Sequence, residues 1–299
     1  MNKYRLMQTD FIYIKTEADL VGYLNHLEYH GISKIALDLE GDQGSINYEY
    51  AISIFQVFDG MKPAIIDVLM MDKVDVLKEF LESEKITKVM FSCSNDQFMA
   101  QNVLDCTIRG IRDIAVAQKL LSIPINIAEY IGIDKKEKDH NQRANWIRRP
   151  ISDDLLEYAI NDVLDLMKIE DQLCEELEAK NFMQGYLNGC ADLSKQDYRA
   201  NPLHLYSRRI GSYKYMKPDK KELLRTIWIV RELIGKELNK PVGHLFSKKV
   251  MPFWVRKRIN VPEEIQYLVN KKLPPEKRLS LNDIMDLWDK ADEIAQGLP

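Results

Sequence analysis

No apolar run in this sequence approaches the roughly 18 residues that would cross a membrane as a helix. Cysteine is scarce. The four present, Cys93, Cys106, Cys174 and Cys190, are widely spaced and form no Cys-x-x-Cys pair. That argues against a zinc ribbon, a dithiol redox motif and a disulfide framework, and reduced thiols in a cytoplasmic protein are expected. The opening residues, Met-Asn-Lys-Tyr-Arg-Leu-Met-Gln-Thr-Asp, lack the apolar core of a signal peptide. No internal repeat is present. What remains is a chain of 299 residues, 45% hydrophobic and 29% charged, long enough for one large domain or a large and a small one.

The net charge of −4 conceals an asymmetry. Residues 199–258 carry 16 Lys plus Arg against 4 Asp plus Glu, a local balance of +12, whereas residues 1–198 carry 21 against 34. An acidic body beside a basic segment suits cations at one place and a polyanion at another, although solvated helix faces give the same count.

Along the chain, Phe11–Ile14 reads as a short strand, and Thr16 caps a helix running to about His30, which Gly31 ends. Lys34–Glu40 is an apolar strand and Gly41–Asn47 a loop. Tyr50–Phe58 and Ala64–Asp67 complete a meander through an Asp59-Gly60 turn. Helical periodicity covers 69–84, a strand returns at 88–91, and Ser94 or Asn95 caps a helix to about Leu104. Further helices are expected at 113–121 and 125–131, a charged loop at 134–145, and one long helix at 153–180 with Ser152 as its cap. This order makes an α/β domain with a mixed sheet, over about 1–190. Residues 191–217 read as a linker. Residues 218–299, with a clear amphipathic helix at 220–239 and prolines dividing the rest, read as a small all-α domain.

Asp38 and Glu40 interrupt the carboxyl end of an apolar strand, two residues apart, so both leave the sheet on one face. Asp96 opens a helix that follows a strand. Tyr158 and Asp162, four apart, share a helix face. Each has a bland alternative: solvated acids at a strand end, an acid favoured by a helix dipole, a Tyr–Asp pair holding a helix. Together, four carboxylates from one strand and two helices can converge at one sheet edge. They would then repel unless divalent cations neutralise them, and two such ions are suited to in-line displacement at phosphorus. Tyr158 is placed to orient the attacking water.

The order Asp-x-Glu, Asp96, Tyr-x-x-x-Asp resembles the three motifs of the DEDDy branch of 3′-5′ exonucleases. The segment Gln142-Arg143-Ala144-Asn145-Trp146-Ile147-Arg148-Arg149-Pro150-Ile151 closely resembles the stretch preceding the third motif in the ribonuclease D family, and Ile54-Phe55-Gln56 is similar to its second strand. The likeness covers about residues 10–185. It continues more weakly through Arg208-Arg209-Ile210 and the helix at 220–239, which are similar to that family's linker and helical HRDC-like domain. The resemblance implies a ribonuclease H-like mixed-sheet exonuclease domain followed by a small all-α domain. It implies two divalent ions, Mg2+ or Mn2+, held by Asp38, Glu40, Asp96 and Asp162, with Tyr158 positioning water. It also implies that Gln142, Trp146 and Arg149 shape the site or touch substrate, though Trp146 is more simply a packing residue.

The implied reaction releases nucleoside 5′-monophosphates from the 3′ end of RNA, transfer RNA precursors being among the candidate substrates. Neither a membrane nor an organic cofactor is expected. Where the family has a Lys three residues before the Gln, this chain has Asp139, with Lys138 one position off. Asp42 is a spare acid in a glycine-rich stretch. The same chemistry on single-stranded DNA stays open, as does a catalytically weak RNA-binding module that grips through Lys248, Lys249 and Arg256-Lys257-Arg258, with Phe253 and Trp254 beside them for stacking or for anchoring a helix.

Overall fold

The computed structural model describes residues 10–124, 141–199, 201–257 and 260–297. The helix expected at 125–131, most of the loop at 134–145, and Lys138, Asp139 and Arg258 lie outside the described residues. Two compact units divide the chain, Met1–Asp42 with Tyr50–Arg199 and Gln43–Glu49 with Ala200–Pro299.

The first unit is built on a six-stranded mixed sheet in the order β1-β4-β3-β2-β5-β6. Its strands are β1 (Ile12–Ile14), β2 (Lys34–Asp42), β3 (Ala51–Phe58), β4 (Pro63–Asp67), β5 (Thr87–Met90) and β6 (Ile111–Asp113). β2, β3 and β4 form the antiparallel meander, while β5 and β6 run parallel to β2. Gly60, at φ +88°, turns the β3–β4 hairpin, and Asp59 accepts the amides of Met61 and Lys62.

One face of the sheet packs on α1 (Glu17–Tyr29), α2 (Asp75–Glu82) and α3 (Ser94–Met99) through Leu20, Leu27, Leu37, Phe55, Leu77 and Met99. The other packs on α4 (Ile114–Leu121), α5 (Asp153–Leu164), α6 (Leu166–Ala179) and α7 (Met183–Lys195). Thr16 closes a capping box with Asp19, as the sequence predicts.

Several boundaries differ from expectation, and the expected linker at 191–217 holds the end of α7 and helical turns at Pro202–His204, Tyr206–Arg209 and Tyr213–Tyr215. α2 begins only at Asp75, because Asp72 accepts the Glu17 amide at the start of α1 and 68–70 form a turn. α3 stops at Met99 and gives way to a π-helical turn, Ala100–Leu104, and neither Ser94 nor Asn95 is its cap. The helix at 153–180 is two helices, broken at Asp165. β2 runs on through Gly41 to Asp42, where a loop is expected. Strand β6 has only three residues and carries too little pattern to read.

The second unit centres on α9 (Pro218–Leu238), which packs against α13 (Leu281–Gln296). Shorter helices complete it: α8 (Tyr206–Arg209), α10 (Val242–Leu245), α11 (Met251–Lys257) and α12 (Val261–Asn270). Pro218 and Pro262 sit in first helical turns, where the missing N–H has no intrahelical partner to lose. Segment 43–49 belongs here: the Tyr48 amide donates to Asn239 Oδ1 at 3.1 Å.

Candidate active site

Period-two geometry puts Ala36, Asp38 and Glu40 on the β2 face that carries α5 and α6, while Ile35, Leu37 and Leu39 fill the opposite core. Asp38 lies across from Gln56, and Glu40 across from Ile54. The register then shifts, so that Gly41 faces Ile52 and Ser53 bulges out. Gly41 is required there, since a Cβ would lie 2.2 Å from the Ala51 carbonyl oxygen. Asp42 lies beyond the bulge and is buried.

Tyr158 and Asp162 project from the buried side of α5. Carboxylate oxygens of Asp38, Glu40 and Asp162 come within 4.8 Å of one another. Asp96 enters from the first turn of α3, just past the loop that follows β5, at the carboxyl ends of the parallel strands, where open α/β sheets form sites. Its approach is fixed by Asp113, which accepts the amides of Ser92 (2.9 Å), Cys93 (2.8 Å) and Ala115 (2.8 Å) and so ties that loop to the start of α4. Burial first, then the charge of Asp38, raises the Asp96 carboxyl well above the usual carboxylate range. Burial likewise raises the Tyr158 hydroxyl far above a normal phenol, with Asp162, Glu40 and Asp38 adding to it.

The three further residues of the 142–149 segment fall in different places. Gln142 is exposed. Trp146 is fully buried, its ring 6.2 Å from that of Tyr158 and its indole N–H donating to Asn141 O. Arg149 forks onto Asp67, with Nε 2.8 Å from Oδ2 and Nη2 2.6 Å from Oδ1, and also donates to Trp146 O and Ser53 Oγ. Its guanidinium thus locks the bulge to the segment that carries Trp146. In the second unit Trp254 is buried against Phe246, while Phe253 is exposed. Trp254 therefore anchors a helix.

Carboxylate oxygens are hard donors of the kind that hold Mg2+, Mn2+ or Ca2+, and three of them this close, two of them buried, fit a divalent cation. A mixed sheet with an acidic cluster at its strand ends and a tyrosine beside it suits metal-dependent chemistry at phosphorus. A family model described as 3′-5′ exonuclease matches residues 11–178, and the chain belongs to that family.

Several curated proteins similar to it are named ribonuclease D. Ribonuclease D of Escherichia coli is 30% identical over 164 residues, covering 52% of this chain and 42% of that protein. Ribonuclease D of Haemophilus influenzae is 27% identical over 164 residues, covering 53% and 40%. The chain thus spans about two-fifths of the length of these curated relatives. The crystal structure of Escherichia coli RNase D, described as an exoribonuclease involved in structured RNA processing, superposes with a TM-score of 0.74 at 22% identity, over 97% of this chain and 76% of that one. That likeness extends the shared fold through the helical unit. Among the described residues, no helix is long and apolar enough to cross a membrane.

Proposed function

We propose that this chain hydrolyses RNA from its 3′ end, releasing nucleoside 5′-monophosphates. The observation that carries the reading is the meeting of Asp38, Glu40 and Asp162 within 4.8 Å, with the Tyr158 hydroxyl facing them and Asp96 in electrostatic contact with Asp38. Two divalent cations, Mg2+ or Mn2+, bound among these four carboxylates would stabilise charge on the attacking and leaving oxygens at phosphorus. Asp38, Glu40 and Asp162 would bind them from the first unit's sheet and α5, and Asp96 from the first turn of α3. Tyr158 would hold the attacking water in line by hydrogen bonding. The names of the ribonuclease D relatives support RNA over DNA, and transfer RNA precursors are substrates to test first.

The exposed Lys248, Lys249, Arg256 and Lys257 of the helical unit would grip backbone phosphates, which predicts a steep fall of activity on long RNA with rising salt. The deciding experiment incubates 5′-labelled RNA and DNA with magnesium, manganese or chelator. A ladder shortening from the 3′ end, on RNA and only with metal, is expected. Equal shortening of DNA would refute the RNA preference. Tight RNA binding with an intact 3′ end in magnesium would refute the nuclease reading.

A further inference from the structure

Gln56 lies directly across β2–β3 from Asp38 and across β3–β4 from Ile65, on the face that α5 covers. Its side chain is fully buried, and neither amide atom, Nε2 or Oε1, has a hydrogen-bond partner among the described residues. A primary amide brings two donors and an acceptor, and burying it unpaired is unfavourable. Its neighbours on this face, Ile54 and Ile65, are apolar and fully buried, so an apolar side chain fits the layer. An amide in that place calls for a partner that arrives with a ligand.

Residues directly opposite in an antiparallel pair hold their Cβ atoms about 4.5–5.5 Å apart, which puts the Asp38 carboxylate within reach of the Gln56 amide. We propose that Gln56 is a positioning residue for Asp38. Once one Asp38 oxygen is engaged by a divalent cation, Gln56 Nε2 donates to the other and fixes the carboxylate's rotation. Oε1 is left to accept from a water that enters with the ion. The inference rests on the reading of these carboxylates as metal ligands. Its ground in the sequence is weak, because Gln56 sits inside an apolar strand and gains its meaning only from the register with β2.

The test titrates Mn2+ into the full chain without nucleic acid, by calorimetry, for wild type and Gln56→Met, which keeps the volume and removes the hydrogen bonds. Thermal unfolding in chelator is measured beside it. Loss of an outer partner of a metal ligand typically weakens binding 10–100-fold, and a loss of about that size is expected. The metal-free midpoint should be unchanged or higher, since an unpaired buried amide has gone. Wild-type Mn2+ affinity in Gln56→Met, with or without a lower metal-free midpoint, would overturn the inference. Gln56→Leu carries the same expectation, and failure of both variants to fold without metal would mark the amide as purely structural and also overturn it. A wild-type chain that takes up no Mn2+ would instead refute the metal reading itself.

Discussion

Arg149 offers the sharpest separation between a residue that touches substrate and one that builds the site. The Asp67 side chain is 0% exposed and that of Arg149 20%, so the pair is largely withdrawn from water. The guanidinium donates twice to Asp67 at 2.6 and 2.8 Å, once to Trp146 O at 2.8 Å, and to Ser53 Oγ at 3.0 Å. Tyr13 adds a 2.6 Å hydrogen bond to Asp67 Oδ2 but no charge. Removing one member of a buried ion pair strands the other, at about 3–5 kcal/mol. Arg149→Met should therefore lower stability by about that amount, which at about 2–4 °C per kcal/mol is a fall of roughly 6–20 °C in the unfolding midpoint. Arg149→Met with Asp67→Asn should recover part of the loss, because the stranded charge is gone. The assay is urea denaturation and thermal unfolding of the three proteins, with KM for RNA measured below the transition. A loss under about 1 kcal/mol accompanied by a raised KM would refute the reasoning and make Arg149 a substrate contact.

Asp38→Asn or Asp162→Asn should abolish hydrolysis while leaving the far-ultraviolet circular dichroism unchanged, since either change removes a ligand charge from a cluster that spans less than 5 Å. Tyr158→Phe should slow hydrolysis by about two to four orders of magnitude, the usual scale for a positioned proton-handling group, and wild-type turnover would remove the tyrosine from the mechanism. Burial lowers the Lys88 ammonium to about 8, although Ser83, Ile86 and Arg109 offer it three carbonyl oxygens. Between pH 8 and 10.5 the unfolded chain holds a proton that folded Lys88 has lost, so this group's contribution to stability rises with pH, by at most about 3 kcal/mol. Lys88→Met should flatten that rise in denaturant titrations run across the window, and an identical pH profile would refute it.

Local rules carried the elements whose cause is local. The Thr16 cap, the Asp59-Gly60 turn and the shared face of Asp38 and Glu40 all follow from neighbours within a few residues. The break at Asp165 was hidden because the apolar period at 155, 156, 159, 163, 166, 169 and 173 continues straight across it, so both helices bury the same stripe. Gly41 reads as loop because nothing nearby in the sequence shows that the Ala51 carbonyl approaches it, a contact made by the partner strand. The roles of Asp113 and Gln56 are hidden from the sequence for the same kind of reason. One serves a loop twenty residues earlier in the chain and the other acts across a ladder, and neither relation leaves a spacing to read.

Among the described residues, several buried charges are met by groups that the fold itself supplies. Lys88 sits on three carbonyls, Asp113 takes three amides, Asp67 has the Arg149 fork, and Arg231 has Glu232 at 3.2 Å. In each case the chain supplies a partner of its own, although burial still lowers Lys88 and Arg231 and raises Glu232 against their charged forms. Asp96 is different: its burial and the charge of Asp38 both push it toward keeping a proton. A carboxyl held that way is unfavourable as an anion until positive charge comes from outside. Cations bound there would relieve that, and the parts around the acids, the bulge at Ser53, the Arg149 fork and the Asp113 clasp, hold them in place.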